Sequence, residues 1–150
     1  MQPVRTRQEE LVEDPWQMLV VCQMLNQTSW KQVDACRPLF FDRWPTADKL
    51  VKAELAAVIE TIRPLGFYNR RAKSLKAFSE AWLVALDEWP EPKLIPIKIL
   101  EKMPGLGKYA LDSWKIFQLN DLSVDATDKV LVQYLEYHRT LNGTISNSPS

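Results

Sequence analysis

Apolar residues in this chain recur at three- and four-residue intervals, the period of an amphipathic helix, and strand-like alternation is absent throughout. Asp14 followed by Pro15 predicts a helix start, with Trp16, Leu19, Val20, Gln23 and Met24 along its buried face. Ser29 is placed to cap the next helix, whose inward set reads Val33, Ala35, Cys36, Leu39 and Phe40 and which Pro38 should kink. A short helix is expected from Thr46 through Leu50 and Val51, and another is marked by Leu55, Val58, Ile59 and Ile62. That one should stop at Arg63-Pro64-Leu65-Gly66, because the residue before a proline resists the α region. Ala72, Leu75, Phe78, Ser79 and Trp82 trace a long amphipathic helix, and Pro90, Pro92 and Pro96 interrupt the chain after it. The last helix starts near Thr127 and is expected to bury Val130, Leu131, Tyr134, Leu135 and His138. From Asn142-Gly143 to Ser150 the chain turns polar and reads as a disordered tail. The expected class is all-α.

Two of the four glycines stand two apart in Met103-Pro104-Gly105-Leu106-Gly107-Lys108-Tyr109. Ile95, Ile97, Ile99 and Leu100 lead into this turn, and Tyr109, Leu111, Trp114 and Phe117 leave it at helical spacing. Glycine tolerates positive φ and leaves backbone N–H groups bare. A Gly-x-Gly turn that opens a helix can seat a phosphate on those N–H groups, at the positive end of the helix dipole. This helix-hairpin-helix pattern grips a nucleic-acid backbone without reading its sequence. An ordinary helix connection with a glycine cap has the same local signature.

Composition narrows the classes. The chain has 150 residues, 46% of them hydrophobic, with a mean hydropathy of −0.25, which fits one globular unit. No apolar run approaches the ~20 residues of a membrane span, and the N-terminus lacks the apolar core of a secretory signal. Cys22 and Cys36 read as buried reduced thiols, and two cysteines fall short of the four that an iron–sulfur cluster needs. The single histidine, His138, makes a zinc site improbable and reads as a core residue. The six tryptophans read as core. Formal charge is zero, so a nucleic-acid footprint must be local. Arg70, Arg71, Lys73 and Lys76, with Lys98, Lys102, Lys108 and Lys115 around the hairpin, are the candidates for it.

Asp128 falls at the start of the last helix, where the helix dipole favours an ionised carboxylate. One helix and a return loop separate it from Tyr109, so both can line one cleft. Two readings stand side by side: a first-turn cap, and a group that does chemistry.

Five stretches in order resemble the helix-hairpin-helix DNA glycosylase superfamily, whose members include endonuclease III. They are Asp14-Pro15-Trp16; Leu25-Asn26-Gln27-Thr28-Ser29; Pro64-Leu65-Gly66-Phe67-Tyr68-Asn69-Arg70-Arg71-Ala72-Lys73; Gly105-Leu106-Gly107-Lys108-Tyr109 with Asp112-Ser113-Trp114-Lys115-Ile116-Phe117; and Asp128-Lys129-Val130-Leu131-Val132-Gln133-Tyr134. Within the superfamily they look most like the glycosylase domain of the thymine glycosylases that carry a methyl-CpG-binding domain. The resemblance implies a two-lobed, all-α domain over 1–141, with a helical-barrel lobe of 29–117 that ends in the hairpin 103–108. The other lobe would be 8–28 plus 118–141, with the base pocket between the two.

The resemblance also assigns roles. Asp128 matches the catalytic aspartate, with Asp125 the competitor in the same segment. Tyr109 stands where bifunctional relatives hold a Schiff-base lysine, and a phenol cannot form an imine, which implies base removal without strand cleavage. Gln27 would fill the hole left by an extruded base, and Phe67, with Leu65, would wedge the opposite strand. Thymine-glycosylase relatives carry Arg at the first of these positions, and Gln is like endonuclease III. A core aromatic is the other reading of Phe67. Gly105, Gly107 and Lys108 would hold phosphate, and Gln8 would contact the flipped pyrimidine. The implied activity is hydrolytic removal of thymine or uracil mispaired with guanine. Adenine removal from mispairs and a non-catalytic binding module are the alternatives. The implied partner is double-stranded DNA with a mispaired or damaged base, taken by a monomer inside the cell, in the nucleus of a eukaryote. No cofactor is called for, though relatives can hold a monovalent cation on hairpin carbonyls.

Overall fold

The structure, a computed structural model, describes the backbone of residues 13–146 and side chains through Leu141. All regular structure among the described residues is helical: α1 Pro15–Met24, α2 Trp30–Arg43, α3 Ala47–Lys52, α4 Leu55–Ile62, α5 Tyr68–Glu88, α6 Ile97–Glu101, α7 Lys108–Phe117 and α8 Lys129–Ser146. Short 3-10 turns at Arg63–Leu65 and Pro92–Leu94 fall where the prolines stop helices.

The helix starts follow local chemistry. The Asp14 carboxylate accepts the Gln17 N–H at 3.0 Å ahead of Pro15. Ser29 and Gln32 form a reciprocal capping box, in which Ser29 Oγ accepts the Gln32 N–H and Gln32 Oε1 accepts the Ser29 N–H. α2 runs unbroken through Pro38.

α1 is the axis of the core. Eight of its ten residues are buried, and it packs on both α5 and α7. Trp16 donates its indole N–H to Ser79 Oγ of α5 at 3.0 Å. α3 and α4 cover the far side of α5, and α2 lies against α4. Trp82 meets Trp114 edge to face with ring centroids 5.8 Å apart, which joins α5 to α7. α8 docks through buried Leu131 and Leu135, and through Tyr134 against Phe117 of α7. Of the six tryptophans, Trp16, Trp44, Trp82 and Trp114 are buried and Trp30 and Trp89 half-buried.

Several expectations need correction. Ala35 and Leu39 are exposed, because Val33, Cys36 and Phe40 already occupy the inward line and the residue preceding each on a helix turns about 100° away. Val130 is exposed beside buried Leu131 for the same reason. His138 is half-buried, with its ring 4.1 Å from that of Tyr134. α8 continues to Ser146, past the polar break at 142, since a packed helix propagates through residues of weak propensity.

Removing the α2 capping box with Ser29→Ala should cost about 1 kcal/mol. The urea midpoint should fall with an unchanged slope, the sign of lost stability without a change in the unfolded state.

Candidate active site

Gly105 and Gly107 have different reasons to be glycine. Gly105 has φ +81°, and a Cβ there would stand 2.1 Å from Gln23 Oε1 and 2.9 Å from Ser74 Oγ. The hairpin thus presses bare backbone against α1 and α5. Gly107 is extended, at φ −99°, with nothing within 4 Å of the place a Cβ would take. Its lack of a side chain keeps the N-terminus of α7 open to an approaching group. A helix leaves its first-turn N–H groups without intrahelical acceptors, and Gly107 supplies no side-chain cap.

That helix end opens on a cleft of about 720 Å³, walled by the chain after α1, the hairpin and the start of α8. Gln27, Gly105, Gly107, Lys108, Tyr109 and Asp128 all line it. A smaller space of about 220 Å³ adjoins it and shares Asn26, Gln27 and Gly105. Leu65 and Phe67 border only the smaller one. Gln8 lies outside the described residues.

Asp128 caps α8 and also borders the cleft. Its Oδ2 accepts the N–H of Val130 at 3.1 Å and of Leu131 at 3.0 Å, which caps α8, while the half-buried side chain lines the cleft. Two N–H donors at the start of α8 hold this carboxylate still. Asp125 is exposed, and its main-chain carbonyl accepts a hydrogen bond from Lys108 Nζ at 2.7 Å.

Among the described residues, Gln27 and Phe67 are two of the three non-glycine residues with positive φ, at 58° and 44°. The left-handed region costs a side-chain-bearing residue on the order of 1–3 kcal/mol, and such strain persists where surrounding structure enforces it. Both residues are exposed, Phe67 by 65%, so its ring is not a core aromatic. Leu65 is 3% exposed and sits in the core, so of the two apolar side chains Phe67 is the one that projects.

Several of the basic residues make bonds within the protein. Lys108 pairs with buried Asp112 at 3.0 Å as well as reaching the Asp125 carbonyl, so it ties the loop before Asp128 to α7. Lys76 Nζ donates to the carbonyls of Leu50, Val51 and Ala53 at the end of α3. The three guanidinium nitrogens of Arg71 donate to the carbonyls of Gly66, Gln23 and Asn26. Arg139, which sequence reading passed over, donates to Leu122 and Val124 carbonyls. Asp112 was also missed as a partner, although its i,i+4 spacing from Lys108 was the available signal.

Cys22 lies on the cleft wall, but burial pushes its thiol up to about 12; the neighbouring Ser113 hydroxyl opposes this shift and Asp128 reinforces it. The thiol therefore stays protonated and supplies no nucleophile. Among the described residues, no three His, Cys, Asp or Glu side chains come together in a way that could hold a metal, and no helix is long and apolar enough to cross a membrane.

Residues 20–144 match the family described as HhH-GPD superfamily base excision DNA repair protein. The chain is 28% identical over 138 residues to a methyl-CpG-binding domain protein 4-like protein of Arabidopsis thaliana, covering 91% of this chain and 29% of that one. It is 33% identical over 99 residues to a thymine/uracil-DNA glycosylase of Pyrobaculum aerophilum, which is 65% of this chain and 41% of the relative. An adenine DNA glycosylase of Mycobacterium tuberculosis is 39% identical over 97 residues, 63% of this chain and 30% of that protein. This chain thus spans well under half the length of each of these relatives. In three dimensions it superposes on a thermostable thymine-DNA glycosylase with a TM-score of 0.65 at 21% identity, covering 78% of this chain and 52% of the other. With the hairpin, the cleft and the matched span in agreement, the chain belongs to the HhH-GPD superfamily of base excision DNA repair proteins.

Proposed function

We propose that this chain is a monofunctional DNA glycosylase that extrudes thymine or uracil mispaired with guanine and hydrolyses its bond to deoxyribose. The observation that carries this reading is the convergence of a capped carboxylate, Tyr109, the open hairpin and Gln27 on one cleft. Cleaving an N-glycosidic bond builds positive charge on the sugar, and a fixed anion placed there lowers the barrier. Asp128, held by two N–H donors, would act as that anion and orient the attacking water. The α7 N-terminus would hold a phosphate beside the target nucleotide. Gln27 and Phe67 would take up the space and the strand that the extruded base leaves.

The adenine reading has support in the identity to the adenine DNA glycosylase. The cleft favours a pyrimidine. Adenine leaves readily only after protonation, and the single carboxylate among the described lining residues is already engaged as an acceptor of two N–H groups. Thymine and uracil carry carbonyls that delocalise the departing negative charge, so they make no such demand. Incubation with duplexes bearing G·T, G·U and G·A, followed by alkali, should give cleavage at the first two.

Asp128→Asn keeps the cap geometry and removes the charge, which should slow single-turnover excision roughly 100- to 1,000-fold while DNA binding holds or tightens. Asp125→Asn should cost much less, because that side chain is exposed and its main-chain carbonyl makes the contact with Lys108. If both variants excise normally, the reading is wrong.

Borohydride should trap no covalent adduct on a G·T or abasic duplex. Tyr109 offers no amine, and the adjacent Lys108 ammonium is held by Asp112 and the Asp125 carbonyl. Gly107→Val should weaken binding to matched and mispaired DNA alike, as a branched side chain would fill the approach to the α7 N-terminus. A fluorescence anisotropy titration of both duplexes measures it.

A further inference from the structure

Arg71 stands one turn into α5, where it looks like one more surface cation. Its Nε donates to the Gly66 carbonyl at 3.0 Å, one terminal nitrogen to the Gln23 carbonyl at 3.3 Å and the other to the Asn26 carbonyl at 2.7 Å. Two of these acceptors have a special place in the chain. The Asn26 carbonyl lies in the rigid peptide plane that leads into Gln27, and the Gly66 carbonyl in the plane that leads into Phe67. The angle at which a residue leaves the preceding peptide plane is its φ. Those two residues have left-handed φ and project into solvent from separate turns, 40 positions apart in the chain.

We propose that Arg71 is a positioning residue that sets Gln27 and Phe67 in a common register, so that the two enter the duplex as one device. The inference rests on the glycosylase reading for what the device does, though not for the clamp itself. A guanidinium is planar, with donors fixed in one fork, so holding both peptide planes also fixes them relative to each other. Filling the gap in one strand and prising the other must occur at the same base step. A shift of either residue by about 1 Å would leave one of them against a backbone instead. Lysine, a point charge on a flexible stem, cannot reproduce three coplanar contacts.

Arg71→Ala and Arg71→Lys of the full chain test this, each first shown by circular dichroism to keep its helix content. In the free protein, hydrogen–deuterium exchange should quicken at 25–28 and at 65–68 together, with α8 unchanged. A duplex with 2-aminopurine beside the mispair should lose its fluorescence rise on binding, because extrusion fails. Excision of uracil from a G·U duplex should fall about tenfold or more for both variants. Excision from single-stranded DNA, where no partner strand needs displacing, should change about twofold at most. If Arg71→Ala does not fold, Arg71→Lys carries the comparison. Exchange confined to the 65–68 turn, an unchanged fluorescence rise, or an equal loss on duplex and single strand would each overturn the clamp. Should the unmodified chain excise from neither substrate, the glycosylase reading falls, and the exchange arm still decides the clamp.

Discussion

Burial of α1 is the constraint on which the site depends. Eight of its ten residues are inaccessible, so what packs on it is fixed by shape and has little room to move. The hairpin comes close enough at Gly105 that even a methyl group would meet the Gln23 carboxamide. α5 joins through the Trp16–Ser79 bond, and the chain after α7 reaches back through Gln118 Nε2 to Met18 Sδ at 3.8 Å. The end of α1 then delivers Asn26 and Gln27 between the two cavities. The hairpin glycines, Gln27 and Asp128 are gathered on one cleft beside this buried rod.

Four cations do related work at places where regular hydrogen bonding runs out. Arg71, Lys76, Lys108 and Arg139 each donate to carbonyls in turns or at helix ends. Helix C-termini and irregular turns leave carbonyls without main-chain donors, and a charged side chain satisfies several at once. The loop ahead of Asp128 is held from both sides, by Lys108 on α7 and Arg139 on α8. Charge in this chain is therefore spent in part on holding loops. With a formal net charge of zero, the proposed DNA contact would fall to bare backbone N–H groups and the lysines left at the surface.

In the proposed reaction Asp128 would be both a cap and a reacting group, and its geometry makes the two compatible. A carboxylate has two oxygens, and Oδ2 satisfies both first-turn N–H groups. Anchoring through one oxygen fixes the direction of the other at no cost in mobility to the reaction, which needs a still anion.

Helix positions, their caps and the hairpin were legible in the sequence, because they follow from local rules. Period 3.6, Asp14 before Pro15, Ser29 with Gln32, and glycines two apart act within a few residues of themselves. The capped Asp128 was readable for the same reason. Burial was legible only in part: Ala35, Leu39 and Val130 satisfy the helical pattern yet face out, since which flank of an apolar stripe is covered depends on what packs against it. The fates of Leu65 and Phe67, two residues apart and both apolar, could not be told apart by pattern; one is core and the other projects because the turn between them is left-handed. Nor could the partners of Arg71 be read, as Gln23 and Asn26 lie more than 40 residues away and offer only main-chain carbonyls. The sequence by itself determined the elements and the chemistry available at each. Tertiary structure alone decided which cations hold the chain and which stay at the surface, since a long charged side chain takes its partner from whatever the fold brings within reach.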